Sequence, residues 1–421
     1  MPKRIVPSKQ MEQALCGKLS QGLLDLSSLL VETAALWVQK ALEREREAFL
    51  QRPWAQRPAD AKGHANGYEP RVVSTAEGPM QLAIPQVRNT QDPFRSTLLD
   101  ILKNRTDSLE LLAINMYVGG LSYADIAEVF RHDLGIPNMS ETVIRGLCGS
   151  LVEDYQRFVT RDLSQVDLLY MFVDGVYLRV NRRRKTKEAV LVARGYTKAG
   201  RTVLLGMALG PRESYEGWKA FLSDLRGRGL RCPLLITSDG CAGMLKAISE
   251  VYPEAARQRC LFHLRATLLG AAPRALQPEL KDRLEEVFNA TGYDAALKAG
   301  RQLIADYQGR AQVFVDKLER HLVATVVHYK FPQNHWKHIR TSNTIERLFQ
   351  EVKRRTKVIP AFGKEESCLM LCHAVLVELA KKKTWRGLRM TDADRHHLDL
   401  IGKHLARYGK DIGDFQYQEA A

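Results

Sequence analysis

Three acidic residues stand where acids are costly. Asp174 interrupts "VDLLYMFVDGVYLRV", a stretch so nearly continuous in apolar residues that it reads as a strand buried on both faces. Asp239 closes "LLITSDG", a second short buried strand. An unpaired carboxylate in such a setting is strongly unfavourable, so each acid needs a partner. Taken singly, either acid also fits a turn or cap at a strand end. On neighbouring central strands, about 4.8 Å apart, the two repel each other, and a divalent cation removes that repulsion. Magnesium suits the task, because it binds one or two carboxylates together with waters and substrate phosphates. A third acid, Glu346, lies in "TSNTIERLFQEVKRRTK". Asn343 to Glu346 has the spacing of a capping box, which would engage Glu346 with a backbone amide. Helical spacing also puts Ile345, Leu348, Phe349 and Val352 on one face, able to dock on a sheet. Glu346, Gln350, Lys353 and Lys357 then fall on the flank beside it. An acid at that edge, with cations along the same stripe, suits a metal ligand next to bound phosphates. The local pattern leaves both readings open.

A buried sheet has to hold Asp174 and Asp239, and the chain supplies one. "VDLLYMFVDGVYLRV", "EAVLVARGYT" and "RTVLLGMALG" are successive strand-like stretches. The amphipathic "ESYEGWKAFLSDLRGRG" follows as a helix, with Trp218 in its packing face, and then comes the strand "CPLLITSDG". That order predicts an α/β fold with a mixed sheet of the ribonuclease-H type rather than a pure βαβ repeat. "PELKDRLEEVFNA", "YDAALKAGRQLIADYQ" and "AQVFVDKLERHLVATVVHY" predict an all-helical region before Glu346. Upstream, the first fifty residues read as helix. Leu23, Leu26, Leu30, Ala34 and Trp37 step along one face that must be buried in the chain itself or against a second copy. "RVVSTAEGPMQLAIPQV" predicts a small β-hairpin. "GLSYADIAEVFRHDLGIPNMSETVIRGLCGSLV" predicts two short helices capped by Ser122 and Ser140. A helix-turn-helix presenting Glu141, Thr142 and Arg145 to DNA and a plain helical hairpin both fit. The expected layout is a helical region over 1–60, a small β element over 61–95 and a helix-turn-helix-like DNA-binding region over 96–160. A catalytic core over 165–263 and 338–385 is interrupted by helices over 264–337, and a tail covers 386–421.

The 421 residues exceed one ordinary core, so about three domains are expected. Lys and Arg number 63 against 48 Asp and Glu, a net +15, which points to a polyanionic partner such as nucleic acid, while a merely solvated basic surface remains the plain alternative on charge alone. "RVNRRRKTK" holds Arg182, Arg183, Arg184 and Lys185; "KRRTK" holds Lys353, Arg354, Arg355 and Lys357. Flanking a carboxylate site, both runs read as phosphate contacts. No apolar run reaches the roughly 18 residues of a membrane span, and no secretory h-region follows Met1 to Arg4. Seven scattered Cys without a CxxC pair point to a reduced, cytoplasmic protein.

The segments "NGYEPRVVSTAEGPMQLAIPQVR", "VDGVYLRV", "LGMALGPRESYEGWKAFLSDLRGRGL", "SDGCAGMLKAI", "QRCLFH" and "HWKHIRTSNTIERLFQEVKRRTKVIPAF" follow in this order. Together they resemble the bacterial Mutator-type insertion-sequence transposases. The resemblance implies a ribonuclease-H-like core with an all-helical insertion, in which Asp174, Asp239 and Glu346 are the catalytic and metal-binding acids. It implies Mg2+, with Mn2+ as a substitute, in a two-metal site that cleaves and joins phosphodiesters. The implied partners are double-stranded DNA, both terminal inverted repeats and target, and a second copy of the chain, with no membrane. The implied setting is the bacterial nucleoid, and the implied route runs through a circular intermediate. Cys260-Leu261-Phe262-His263 matches the family's Cys-x-x-His motif, which puts His263 near the active site or on DNA. A packed Cys with a satisfied His is the plain alternative, and zinc lacks a second ligand pair. Trp336 reads as core or as a base-stacking residue, and Arg347 beside Glu346 as a further DNA contact. Two other functions fit less of the pattern: a ribonuclease-H-like nuclease without strand transfer, and a catalytically silent, domesticated DNA-binding protein.

Overall fold

In the computed structural model the strand-like stretches pair into one five-stranded sheet. The structure describes residues 6–51, 63–90, 92–98, 107–136, 139–179, 187–210, 214–356, 365–381 and 387–417. The chain divides into two compact units, Met1–Ser150 and Leu151–Ala421.

In the first unit, α1 (Pro7–Ser20) packs on α2 (Leu26–Leu50). Asp25 caps α2 by accepting from the Ser28 amide at 2.7 Å. One face of α2 buries Ala35 and Leu42 against Val73, Met80, Leu82 and Ile84. Those residues belong to the antiparallel hairpin of β1 (His64–Thr75) and β2 (Gly78–Arg88). The Gln39 amide fixes the contact, since it both donates to and accepts from the Ala83 backbone at 2.8 Å. The opposite face is bare: Leu23, Leu26, Leu30 and Trp37 are 67%, 72%, 54% and 65% exposed, and Ala34 is exposed with them. Among the described residues, this face is therefore not covered by the chain itself.

Among the described residues, three further helices follow in this unit: α3 (Asp107–Gly119), α4 (Tyr123–His132) and α5 (Glu141–Leu147). Ser122 and Ser140 are N-caps as expected, Ser122 within a full capping box with Asp125. Glu141, Thr142 and Arg145 are exposed on α5, and the Arg145 guanidinium lies 5.4 Å from the centre of the Tyr123 ring.

The second unit opens with α6 (Ser150–Thr160) and carries the sheet. Its order is β5-β4-β3-β6-β7, from β3 (Leu168–Arg179), β4 (Lys187–Thr197), β5 (Thr202–Gly210), β6 (Leu235–Ser238) and β7 (Ala256–Arg259). The first three strands are antiparallel, and β3, β6 and β7 are parallel. Antiparallel neighbours need only tight turns, whereas the parallel pairs need crossovers. Helices α7 (Tyr215–Gly227) and α8 (Ala242–Val251) supply these. Trp218 is fully buried against the sheet, as expected.

After β7 the chain is helical. α9 (Leu261–Ala271), α10 (Gln277–Phe288), α11 (Tyr293–Tyr307) and α12 (Gln312–Val326) share their own core, which includes Leu264, Leu284, Leu303, Phe314 and Leu318. The short α13 (Trp336–Ile339) leads back to the sheet, followed by α14 (Asn343–Thr356) and α15 (Glu365–Lys381). The stretch expected to be a tail contains a long helix, α16 (Asp392–Tyr408), started by a Thr391/Asp394 capping box. It is tied to the core by Asn334 Nδ2 donating to Asp394 at 2.9 Å and by Arg395 donating to the Lys198 carbonyl at 3.0 Å. No described helix is long and apolar enough to cross a membrane.

Candidate active site

The sheet register brings the two aspartates side by side. Phe172 of β3 pairs with Thr237 of the parallel β6. Asp174 and Asp239 each lie two residues further on, Asp174 on β3 and Asp239 just beyond the end of its neighbour β6, which brings them close together. Asp174 is 6% exposed. Its Oδ1 accepts from the Gly175 amide at 2.8 Å, while its Oδ2 is buried with no hydrogen-bond partner. Asp239 sits just past the end of β6, where its Oδ1 accepts from the Cys241 amide at 2.9 Å and closes a tight turn. Gly240 in that turn has φ +81°, a conformation other residues rarely adopt.

Glu346 reaches the pair through α14. Ile345, Leu348, Phe349 and Val352 are all buried, and the helix packs on β3, as its apolar stripe requires. The helix starts at Asn343, which places its cap at Ser342 and takes Glu346 out of capping-box register. The Glu346 carboxylate instead meets His263 Nε2 at 3.0 Å.

The segment entering α14 is held at three points. Thr237 Oγ1 donates to the Ile339 carbonyl at 2.7 Å, and the Leu261 amide donates to the Arg340 carbonyl at 3.0 Å. The Ser342 amide and hydroxyl both donate to Cys260 Sγ at 3.3 Å. The Cys-x-x-His motif therefore works at both ends: Cys260 fixes the approach to α14 and His263 meets its acid. Two residues before Cys260, the buried Gln258 side chain donates to the Thr325 carbonyl and accepts from the His328 amide, both at 2.8 Å, tying α12 to the sheet.

The charges of Asp239 and Glu346 both reach Asp174. Burial pushes the Asp174 carboxyl up to about 7, and the charges of Asp239 and Glu346 add to the rise. The His263 charge and the Gly175 amide oppose it. His263 is itself raised to about 9, chiefly by the neighbouring Cys260 thiol, with Asp174 and Glu346 contributing and burial opposing. Burial disfavours a Cys260 thiolate, yet His263 and Ser342 outweigh it and hold the thiol below its ordinary value. The thiol and ring are close neighbours rather than a directed pair, for His263 Nδ1 has no hydrogen-bond partner. The sound contact of the ring is the one to Glu346.

No three His, Cys, Asp or Glu side chains among the described residues converge tightly enough to hold an ion as they stand. The donor chemistry nonetheless fits a hard divalent cation: three carboxylates, one with a buried oxygen lacking any partner.

Several expected DNA contacts are placed differently. Arg347 and Lys353 are exposed on α14. Arg354 is exposed but paired with Glu351 at 2.7 Å. Arg355 is 8% exposed and lies 3.7 Å from Glu351, so it faces inward rather than toward a ligand. Trp336 packs in the helical region, 4.7 Å from Tyr329 between ring centres, and its indole N–H donates to the Phe331 carbonyl at 2.7 Å. That placement supports the core reading and not base stacking. Arg182, Arg183, Arg184, Lys185 and Lys357 lie outside the described residues.

A family model described as "Transposase, Mutator family" matches residues 8–386. The chain belongs to the Mutator family of transposases. Similar proteins include the transposase for insertion sequence element IS6120 of Mycolicibacterium smegmatis, 34% identical over 65% of this chain and 84% of that protein. The transposase for ISRM5 of Rhizobium meliloti is 30% identical over 85% of this chain and 90% of its own length. The transposase for IS256 in transposon Tn4001 of Staphylococcus aureus is 26% identical over 84% and 90%.

Proposed function

We propose that this Mutator-family chain is the transposase of a bacterial insertion sequence, which binds terminal inverted repeats and performs metal-dependent strand cleavage and strand transfer. The observation that carries this reading is Asp174 on β3 beside Asp239 at the end of the neighbouring β6, with Glu346 brought to them by α14. The strand order, three antiparallel strands extended by two parallel ones, supports a ribonuclease-H-like core.

Asp174, Asp239 and Glu346 would hold Mg2+, which when bound supplies charge stabilisation to the reacting phosphate. The protein's own part is positioning. Residues at Cys260 and Ser342 set the entry of α14, His263 keeps Glu346 aimed at the aspartates, and the sheet keeps the aspartates close together. Arg347 and Lys353, exposed on the same helix, are placed to meet DNA phosphates, and Arg182 to Lys185 and Arg145 are assigned to DNA as well. Incubating the protein with an end-bearing duplex, a target duplex and Mg2+ tests the reading. Joined products support it, cuts without joining indicate a plain nuclease, and neither product indicates a silent DNA-binding protein.

Cys260 is a positioning residue in this account. Cys260→Ala is expected to slow cleavage about tenfold, the usual effect of removing a group that orients a ligand, while Cys260→Ser recovers most of it. Equal losses in the two variants, measured as single-turnover rates, would count against the role.

Two ends have to be held together for ordered joining, so the chain acts as a homodimer on DNA. The bare face of α2 is its interface, an isologous contact between two copies. Leu26→Gln with Leu30→Gln is expected to block pairing of ends while single-end binding survives. Light scattering of the DNA-bound variant decides: a wild-type mass excludes this face.

A further inference from the structure

Within Gln258-Arg259-Cys260, the middle residue has no task in the site as described. Arg259 is a buried cation, 6% exposed, whose Nε and Nη1 have no hydrogen-bond partner. Buried guanidinium groups normally engage their donors, because an unmet one loses its hydration without replacement. This guanidinium lies against Gly240, where a Cβ would collide with it; burial disfavours its charge and lowers its pKa, and Asp239 only partly opposes that. α12 packs on β7 through the bond from Gln258 to Thr325, and helical spacing puts Lys317, Arg320 and His321 together on α12, with His321 about one turn before that contact. Burial lowers the His321 pKa, and Arg259, Arg320 and Lys317 lower it further, so the charges it feels there are positive. Arg320 is exposed, and Lys317 and His321 are half-buried. Among the described residues, neither Lys317 nor Arg320 has a salt-bridge partner. Two cations without a salt bridge, next to a buried guanidinium with orphaned donors, describe an anion site.

We propose that Arg259, Lys317, Arg320 and His321 form a phosphate site that holds the DNA backbone beside Asp239, making α12 a DNA-binding element. The inference rests on the reading of this chain as a DNA-acting transposase and adds the element that grips the strand next to the acids. Such contacts carry no sequence information; they fix the position of the strand relative to Asp239.

The test is DNA binding by the full chain in EDTA as a function of salt. The probes are a duplex bearing the element's terminal repeat and a scrambled duplex of equal length. Each phosphate neutralised contributes about −0.9 to the log–log slope on duplex DNA, so Lys317→Gln with Arg320→Gln is expected to shallow it by about 1.8 on both duplexes. Arg259→Gln is expected to shallow it by about 0.9, and Arg259→Lys to keep it near wild type. Because Lys317 and Arg320 have no salt bridge to lose, their double variant keeps its fold. An unchanged slope in that variant overturns the proposal. So does a change confined to the terminal-repeat duplex, which would indicate base readout. The measurement needs neither metal nor chemistry. A wild type that binds with the expected slope but never joins ends would sink the transposase reading and leave this site standing.

Discussion

Asp174→Asn, Asp239→Asn and Glu346→Gln are each expected to abolish cleavage, a loss of roughly a thousandfold or more, while end binding stays close to wild type. Each change removes one charged donor from a set that the fold assembles at one place, and none touches the exposed cations. Near-normal cleavage by any one of the three would remove that residue from the site. Asp174→Asn carries a second, opposite signature. A carboxyl titrates near 3.8 when unfolded, and Asp174 titrates near 7 in the fold, so the folded state holds the extra proton between those values. Its contribution to stability is present below the lower value and is lost as pH rises through the upper one. In EDTA at pH 8 the Asn variant should therefore be more stable than wild type, on the order of 2 kcal/mol, with the gap closing toward pH 4. Melting curves at the two pH values check this; a variant less stable than wild type at pH 8 would show that Asp174 is well satisfied by its own chain.

The second large effect is expected at Gly240. Gly240→Ala should reduce cleavage roughly a hundredfold, the scale that a displacement of about 1 Å in a reacting group produces. Two faults combine. The residue holds φ +81°, which disfavours any side chain, and the new Cβ would fall on the Arg259 guanidinium. The collision is relieved only if the guanidinium or the turn bearing Asp239 moves. Introducing Gly240→Ala into an Arg259→Ala background separates the two faults, because the collision is then gone and only the backbone strain remains. Purely additive losses in that double variant would mean that the two residues do not press on each other.

The acids were legible because each broke a pattern. Asp174 interrupts an apolar strand, Asp239 ends one, and Glu346 lies one position off the apolar stripe of its helix. The sheet was legible for the same reason, since period-two and near-continuous apolar runs have few other uses. Residues whose role depends on distant neighbours were harder to read. Nothing local marks Arg259 as buried, because the space it fills is made by a glycine in the turn after β6. Arg355 carried a readable signal: it continues the buried stripe of Ile345, Leu348 and Val352 at helical spacing, but its charge drew it to the DNA-binding side. Trp336 was ambiguous until Tyr329 and Phe331 were seen around it. The helix at Asp392–Tyr408 was announced by its Thr391/Asp394 capping box and missed because it follows the last recognisable motif.

The clamp between Cys260 and Ser342 joins parts of the chain that are made at different times. At about ten residues per second, roughly ten seconds separate the emergence of Asp239 and Glu346 from a ribosome. During that interval a nascent chain carries its N-terminal unit, its sheet and both aspartates, but not the third acid. A frameshift or early stop within the helical region freezes the protein in that condition. On the proposed dimer and three-acid site, such a fragment would keep the α2 face and lack Glu346, and so would act as a poison subunit against the full-length chain.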